Sequence, residues 1–211
     1  MTGVQTCALP ICFPVTIVVC WDGHGKYRPL RSEGNLVSGW QYHANSMREF
    51  REAMEVECRV TKPIGSRPEI LGHFQKRAER LLAKRNWKPN QVSLLVASHG
   101  TPLHAGSRGA AVGLAEQLGK DGYRTARAAF LEEEPKIADW RVLVQEGPVV
   151  VLPHFLAGGL HGSEDVPELL GISGAEEGWY ESEKGEIGYG EPLGRPEEVE
   201  EMIVELAVAK V

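Results

Sequence analysis

The sequence is poor in cysteine, in positive charge and in long apolar runs, and each shortage narrows what the chain can be. Its 211 residues hold four cysteines, Cys7, Cys12, Cys20 and Cys58. They have neither the CxxC spacing of a zinc or redox site nor the density of a disulfide scaffold, so free thiols in a reducing, cytoplasmic setting are expected. Lys and Arg number 23 against 29 Asp and Glu, a formal charge of −6. That balance argues against nucleic acid as a main partner, which wants a basic face. It leaves room for a small anionic ligand, because a local basic pocket can sit on an acidic protein. No stretch approaches the run of about 20 apolar residues that spans a bilayer, so no membrane partner is expected. There is no G-x-S-x-G elbow for serine hydrolysis. The arginine that precedes the histidine in the RHG signature of histidine phosphatases is replaced by Ser98.

What is present is an alternation of strands and helices. Phe13 to Cys20 (FPVTIVVC) is a short β-branched run that reads as a buried strand, and Val56 to Val60 alternates like a strand with one wet face. Trp21 to Ser46 reads as loop, and Met47 to Met54 as a short helix. Pro68 to Lys84 is helical, with Ile70, Phe74, Ala78, Leu81 and Leu82 on one stripe. Asn86 to Asn90 is a polar connector containing proline, and marks a domain boundary. Beyond it the spacing predicts strands at Val92–Ala97, Thr125–Leu131, Val149–Leu152 and Gly185–Tyr189. Helices are predicted at Ser107–Leu118, Pro135–Val144, from Val166 to Leu170, and at Pro196–Val208. Asp165 is expected to cap the helix that starts at Val166. Continuous apolar strands separated by helices imply an α/β fold, a parallel sheet with helices on both faces.

A repeat underlies the order. KPIGSRPE at Lys62–Glu69 and EPLGRPE at Glu191–Glu197 each follow a strand and open a helix. Glu57–Val60 corresponds to Glu186–Tyr189, and Pro14-Val15 less securely to Pro148-Val149. Residues 13–85 are therefore read as the C-terminal part of a first repeat, and 91–211 as a complete second one. MTGVQTCALPI, at the N-terminus, resembles the translation of a common sequencing-library adapter, so residues 1–12 are read as a scar. A reading frame entered midway through a longer gene is then expected, with the rest of the first repeat missing.

Three segments carry groups capable of chemistry. LLVASHGT, Leu94–Thr101, puts His99 and Gly100 at the carboxyl end of a strand, where open α/β sheets bind ligands. VVVLPHFLAGGLHGSEDVPELLG, Val149–Gly171, ends a strand in a loop holding His154 and, further out, His161; Gly158 and Gly159 allow that loop to approach a ligand closely. His154, immediately beyond the strand, is expected to be packed or solvent-facing. FLEEEPKIADW, Phe130–Trp140, supplies Glu132, Glu133 and Glu134, any one of which could face inward. Successive strands thus deliver two imidazoles and a carboxylate to one edge of the sheet. That donor set suits cobalt, iron, nickel or zinc without choosing among them.

These three segments, with YGEPLGRPEE after them, resemble the successive motifs of the CbiX-type sirohydrochlorin chelatases, over Val92 to about Leu206. The resemblance implies a flavodoxin-like chelatase domain that inserts Co²⁺ or Fe²⁺ into sirohydrochlorin, for cobalamin or sirohaem, with no organic cofactor. It implies that His99 and His161 hold the metal and that the family's acidic helper falls in the run Glu132–Glu134, at Glu132 with the register left open, with a histidine or Glu132 as the base. Sirohydrochlorin carries several carboxylates, for which Ser98, Gly100, Thr101, Ser107, Arg108, Gly158 and Gly159 are the candidate contacts. Long members carry two such domains, which agrees with the repeat and makes the missing copy a pseudo-dimer partner. The sequence departs from the family at His154, where an apolar residue is expected, and in Trp21–Ser46, which lacks the family's PxFLxxGxH pattern. The alternative reading is a metal- or tetrapyrrole-binding module without turnover.

Overall fold

A computed structural model describes residues 18–21, 57–60, 68–100, 105–144, 146–155 and 161–192. The expectations for Trp21–Ser46 beyond its first residue, for Met47–Met54 and for Pro196–Val208 lie outside the described residues. In the N-terminal part, β1 (Val18–Trp21) and β2 (Glu57–Val60) form an antiparallel ladder with Cys20 opposite Cys58.

The main sheet is five-stranded, in the order β4-β3-β5-β7-β6. Its strands are β3 (Ser93–Ser98), β4 (Ala126–Phe130), β5 (Val149–Pro153), β6 (Gly178–Ser182) and β7 (Gly185–Tyr189). Strands β4, β3, β5 and β7 run parallel. The expected all-parallel sheet is corrected at its edge: β6, not expected from the sequence, pairs antiparallel with β7 across a hairpin closed between Ser182 and Gly185. Gly185 there has φ +128°, a conformation that side-chain-bearing residues resist.

Every residue of β3 and β5 is buried, as strands covered on both faces require. The period of two sends Leu94, Val96, Ala128, Phe130, Val150 and Leu152 to one face. There they meet α1 (Glu69–Arg85) and α2 (Ala105–Gly119) through Phe74, Leu81, Ala111 and Leu118. Leu95, Ala97, Ala129, Val149, Val151 and Ile187 point the other way, onto Ile137, Trp140, Val166 and Leu170. Those residues belong to the short helices α3 (Trp140–Leu143) and α4 (Val166–Leu170) and a 3₁₀ turn at Ile137–Asp139. The helix expected over Pro135–Val144 is thus shorter than its sequence suggests. The Phe130 amide donates to the Pro135 carbonyl at 2.8 Å, and Lys136 bridges back to Phe130. That pairing keeps Lys136 extended, so winding begins only at Ile137.

Helix α1 belongs physically to this sheet. It ends as expected, at Asn86 in the left-handed region with φ 53°, where the Asn86 and Trp87 amides close on Ala83 and Leu82 carbonyls. Its last turns are tied to the β6–β7 hairpin: Trp179 Nε1 donates to the Leu81 carbonyl at 2.8 Å and packs edge-on against Trp87. Arg80 and Lys84 pair with Glu177, and Arg85 with Glu186. The Asn86–Asn90 connector therefore does not separate two cores. β1 and β2 pair antiparallel, whereas β5 and β7 pair parallel.

Candidate functional site

Strands β3, β4 and β5 all release their chains at the carboxyl edge of the sheet, and the chemistry gathers there. At the end of β3 the chain turns through Gly100, whose φ is +66°. His99, only 5% exposed, is held at that turn. Its Nδ1 donates to the Gly100 carbonyl at 2.8 Å, since a carbonyl oxygen can only accept. The main chain of His99 in turn anchors the acidic loop after β4. Its carbonyl accepts from the amides of Leu131 and Glu132, both at 2.9 Å.

That anchor resolves the register of the three glutamates. Glu132 turns its carboxylate to His99, Oε1 lying 3.2 Å from Nε2. Glu133 folds inward under Gly100 instead: a Cβ added to Gly100 would stand 2.6 Å from Glu133 Cγ. Glu134 and Glu133 are both engaged by Arg108, which donates to the Glu134 carbonyl, pairs with Glu133 Oε2 at 3.4 Å and lies over the Phe130 ring. Arg108, a candidate substrate contact, is thereby occupied in bracing the acidic loop. Ser98 is buried. Thr101, Gly158 and Gly159, and the side chain of Ser107, lie outside the described residues.

From β5 the chain returns to the same edge. His154 is half-buried and packs against the Phe74 ring of α1, with centroids 5.8 Å apart, as the packed alternative expected. His161 comes back beside His99, the two rings 5.2 Å apart between centroids and tilted by 58°. It opens a π turn, His161–Asp165, that runs into α4. The turn is pinned from below: the buried Tyr189 hydroxyl donates to the Gly162 carbonyl at 2.7 Å. Gly162 itself lies against Pro192, where an added Cβ would come within 2.9 Å of Cγ. The expected capping role of Asp165 is corrected. The residue is helical, φ −61° and ψ −47°, and makes no side-chain cap. Its carboxylate accepts from His161 Nδ1 instead.

The electrostatics follow from this geometry. Burial holds the His99 imidazole below its ordinary pKa, against the upward pull of Glu132 and of the Gly100 carbonyl; the neighbouring His161 pushes the same way as burial. A neutral His99 that spends its proton at Nδ1 turns a bare Nε2 lone pair toward the Glu132 carboxylate. Two acceptors 3.2 Å apart are satisfied by a cation between them. Among the described residues no three His, Cys, Asp or Glu side chains already stand close enough to hold a metal ion. The arrangement is thus a pair of facing imidazoles with one carboxylate on the first, not a closed cage. Two neutral imidazoles and a carboxylate are a donor set for a divalent transition metal, and the carboxylate can accept a proton.

A protein of Methanothermobacter thermautotrophicus named "Sirohydrochlorin cobaltochelatase" is 27% identical over 132 residues, covering 56% of this chain and 91% of that protein. A "Probable sirohydrochlorin cobaltochelatase" of Halobacterium salinarum is 28% identical over 120 residues, covering 56% of this chain but only 41% of the relative's own length. Among solved structures, that of CbiX, described as the terminal enzyme for biosynthesis of siroheme in denitrifying bacteria, superposes with a TM-score of 0.61 at 26% identity. It covers 82% of this chain and 72% of the other. The sequence model of the CbiX family matches residues 93–209, from the first residue of β3 onward and including His99, Glu132 and His161. The chain belongs to the CbiX family.

Proposed function

We propose that this chain inserts a divalent metal, Co²⁺ or Fe²⁺, into sirohydrochlorin, serving cobalamin or sirohaem biosynthesis. The observation that carries the reading is the approach of the His99 and His161 rings to 5.2 Å, with Glu132 against His99. Family membership and the names of the relatives support the substrate. The metal is a substrate, taken up by the Nε2 atoms of the two histidines and passed to the macrocycle nitrogens. Two pyrrole N–H protons leave as it enters: Glu132, half-exposed beside His99, is placed to accept one, and the other passes to solvent. No organic cofactor takes part. Helix N-termini favour anions, so the macrocycle carboxylates are assigned to the N-terminal end of α2, which carries Ser107. His99, Glu132 and His161 all lie within residues 93–209, the span that the CbiX family model matches, which supports them as the site. The cysteine pattern favours a reducing cytoplasm as its setting.

The test is anaerobic metal insertion into sirohydrochlorin followed by absorbance, with Co²⁺ and Fe²⁺ run separately. A His99→Ala, His161→Ala double variant is the control. Turnover by the parent chain that the double variant lacks establishes the chelatase. Stoichiometric binding without turnover, in a folded chain, would replace this reading with a metal- or tetrapyrrole-binding module.

A further inference from the structure

Asp165 is half-exposed, makes no helix cap, and spends its carboxylate on His161 Nδ1. A carboxylate without a proton can only accept, so the bond places an N–H of His161 at Nδ1. The ring is further confined by Phe155, whose centroid lies 6.3 Å away, and by the Tyr189 hydroxyl beneath the turn at Gly162. The His161 ring is thus held by Asp165 in its tilted approach to His99. Asp165 stands four positions beyond His161, at the junction of the π turn and α4, and its carboxylate meets the His161 ring there.

We infer that Asp165 is a positioning residue for metal capture: it fixes His161 in the Nδ1–H tautomer so that Nε2 faces the metal shared with His99. This rests on the metal site proposed above, and adds a residue outside the His99, Glu132, His161 set. Partners of this kind behind a ligating histidine raise its basicity and hold its ring. Their loss ordinarily weakens metal binding by about 10- to 100-fold.

The experiment titrates Co²⁺ alone into the whole chain under anaerobic conditions, reading ligand-field absorption, beside a thermal melt of each variant. Asp165→Asn keeps the shape without the charge. Asp165→Ser supplies a good helix cap but withdraws the carboxylate from the ring. The expected result is weakening of about tenfold for Asp165→Asn and up to about 100-fold for Asp165→Ser, with melting temperatures unchanged. In the metal-free chain labelled at histidine with ¹⁵N, the parent's His161 shows a single protonated Nδ1, and Asp165→Ser mixes the two tautomers. Parent-like Co²⁺ affinity in both Asp165 variants, with binding lost in His161→Ala, overturns the inference and leaves the site standing. Parent-like binding by His161→Ala overturns the site itself. A fall in melting temperature that tracks the loss of affinity overturns the positioning role in favour of a structural one.

Discussion

Gly100 has φ +66° and no room for a Cβ, because Glu133 Cγ would lie 2.6 Å from it. Gly100→Ala is therefore expected to cost about 2 kcal/mol for the left-handed backbone and the displaced carboxylate together, read as a lower urea midpoint. Glu132→Gln removes the charge facing His99 while preserving shape. Metal insertion is expected to fall roughly 100-fold, whereas Glu133→Gln, whose carboxylate lies under Gly100 and against Arg108, leaves turnover within a few-fold of the parent. Steady-state kinetics on the pair separate the two. His99 and His161 could be placed at the carboxyl edge because the loops that hold them leave β3 and β5 there, but strand position alone does not select them: His154, directly beyond β5, packs against Phe74 instead. The choice among Glu132, Glu133 and Glu134 was not legible. It depends on both the Leu131 and Glu132 amides bonding the His99 carbonyl, a contact between strands that a run of identical residues cannot announce. Asp165 was misread for a similar reason: Asp before Val-Pro is a good cap in sequence, and only the π turn takes it out of reach.

Among the elements, strands β3, β4, β5 and β7 stood out as apolar runs, while β6 did not. Its residues, Gly178–Ser182, are an edge strand of intermediate burial with polar Glu181 and Ser182, and its signal was only the Trp179–Tyr180 pair ahead of a turn. Yet that strand fastens α1. Trp179→Ala removes the edge-on contact with Trp87 and the bond to the Leu81 carbonyl. It is expected to destabilise the fold by about 3 kcal/mol, measured by denaturant unfolding. Tyr189 does the same service for the histidine turn. Tyr189→Phe leaves the Gly162 carbonyl without its donor and is expected to cost about 1–2 kcal/mol. Burial also raises the Tyr189 pKa above the ordinary tyrosine value, so the folded chain keeps a proton that the unfolded chain gives up near pH 10. The stabilisation is complete below that pH and is lost as pH rises further. Melting curves of the parent should thus decline more steeply between pH 9 and pH 11, in round numbers, than those of Tyr189→Phe.

For the molecule as a whole, the boundary drawn at Asn86–Asn90 from composition is not a boundary in packing. Polar residues and a proline mark a surface connector equally well between domains and between a helix and the strand it covers. Ile70, Phe74, Ala78 and Leu81 are buried against Leu94, Val96, Val150 and Leu152. A chain beginning at residue 68 is expected to unfold cooperatively. One beginning at residue 91, stripped of α1, should expose that face and aggregate, which light scattering would show. The two histidines differ in one last respect. His99 takes its orientation from a main-chain oxygen, which every residue possesses and no side-chain exchange deletes. His161 takes its own from a side chain. In the metal site proposed above, heritable change is accordingly lopsided: one ring is fixed by the path of the backbone, and the other can be reset by a single codon. Variants selected for a different cation should accumulate at position 165 and around the histidine turn, and leave the ring at the end of β3 alone.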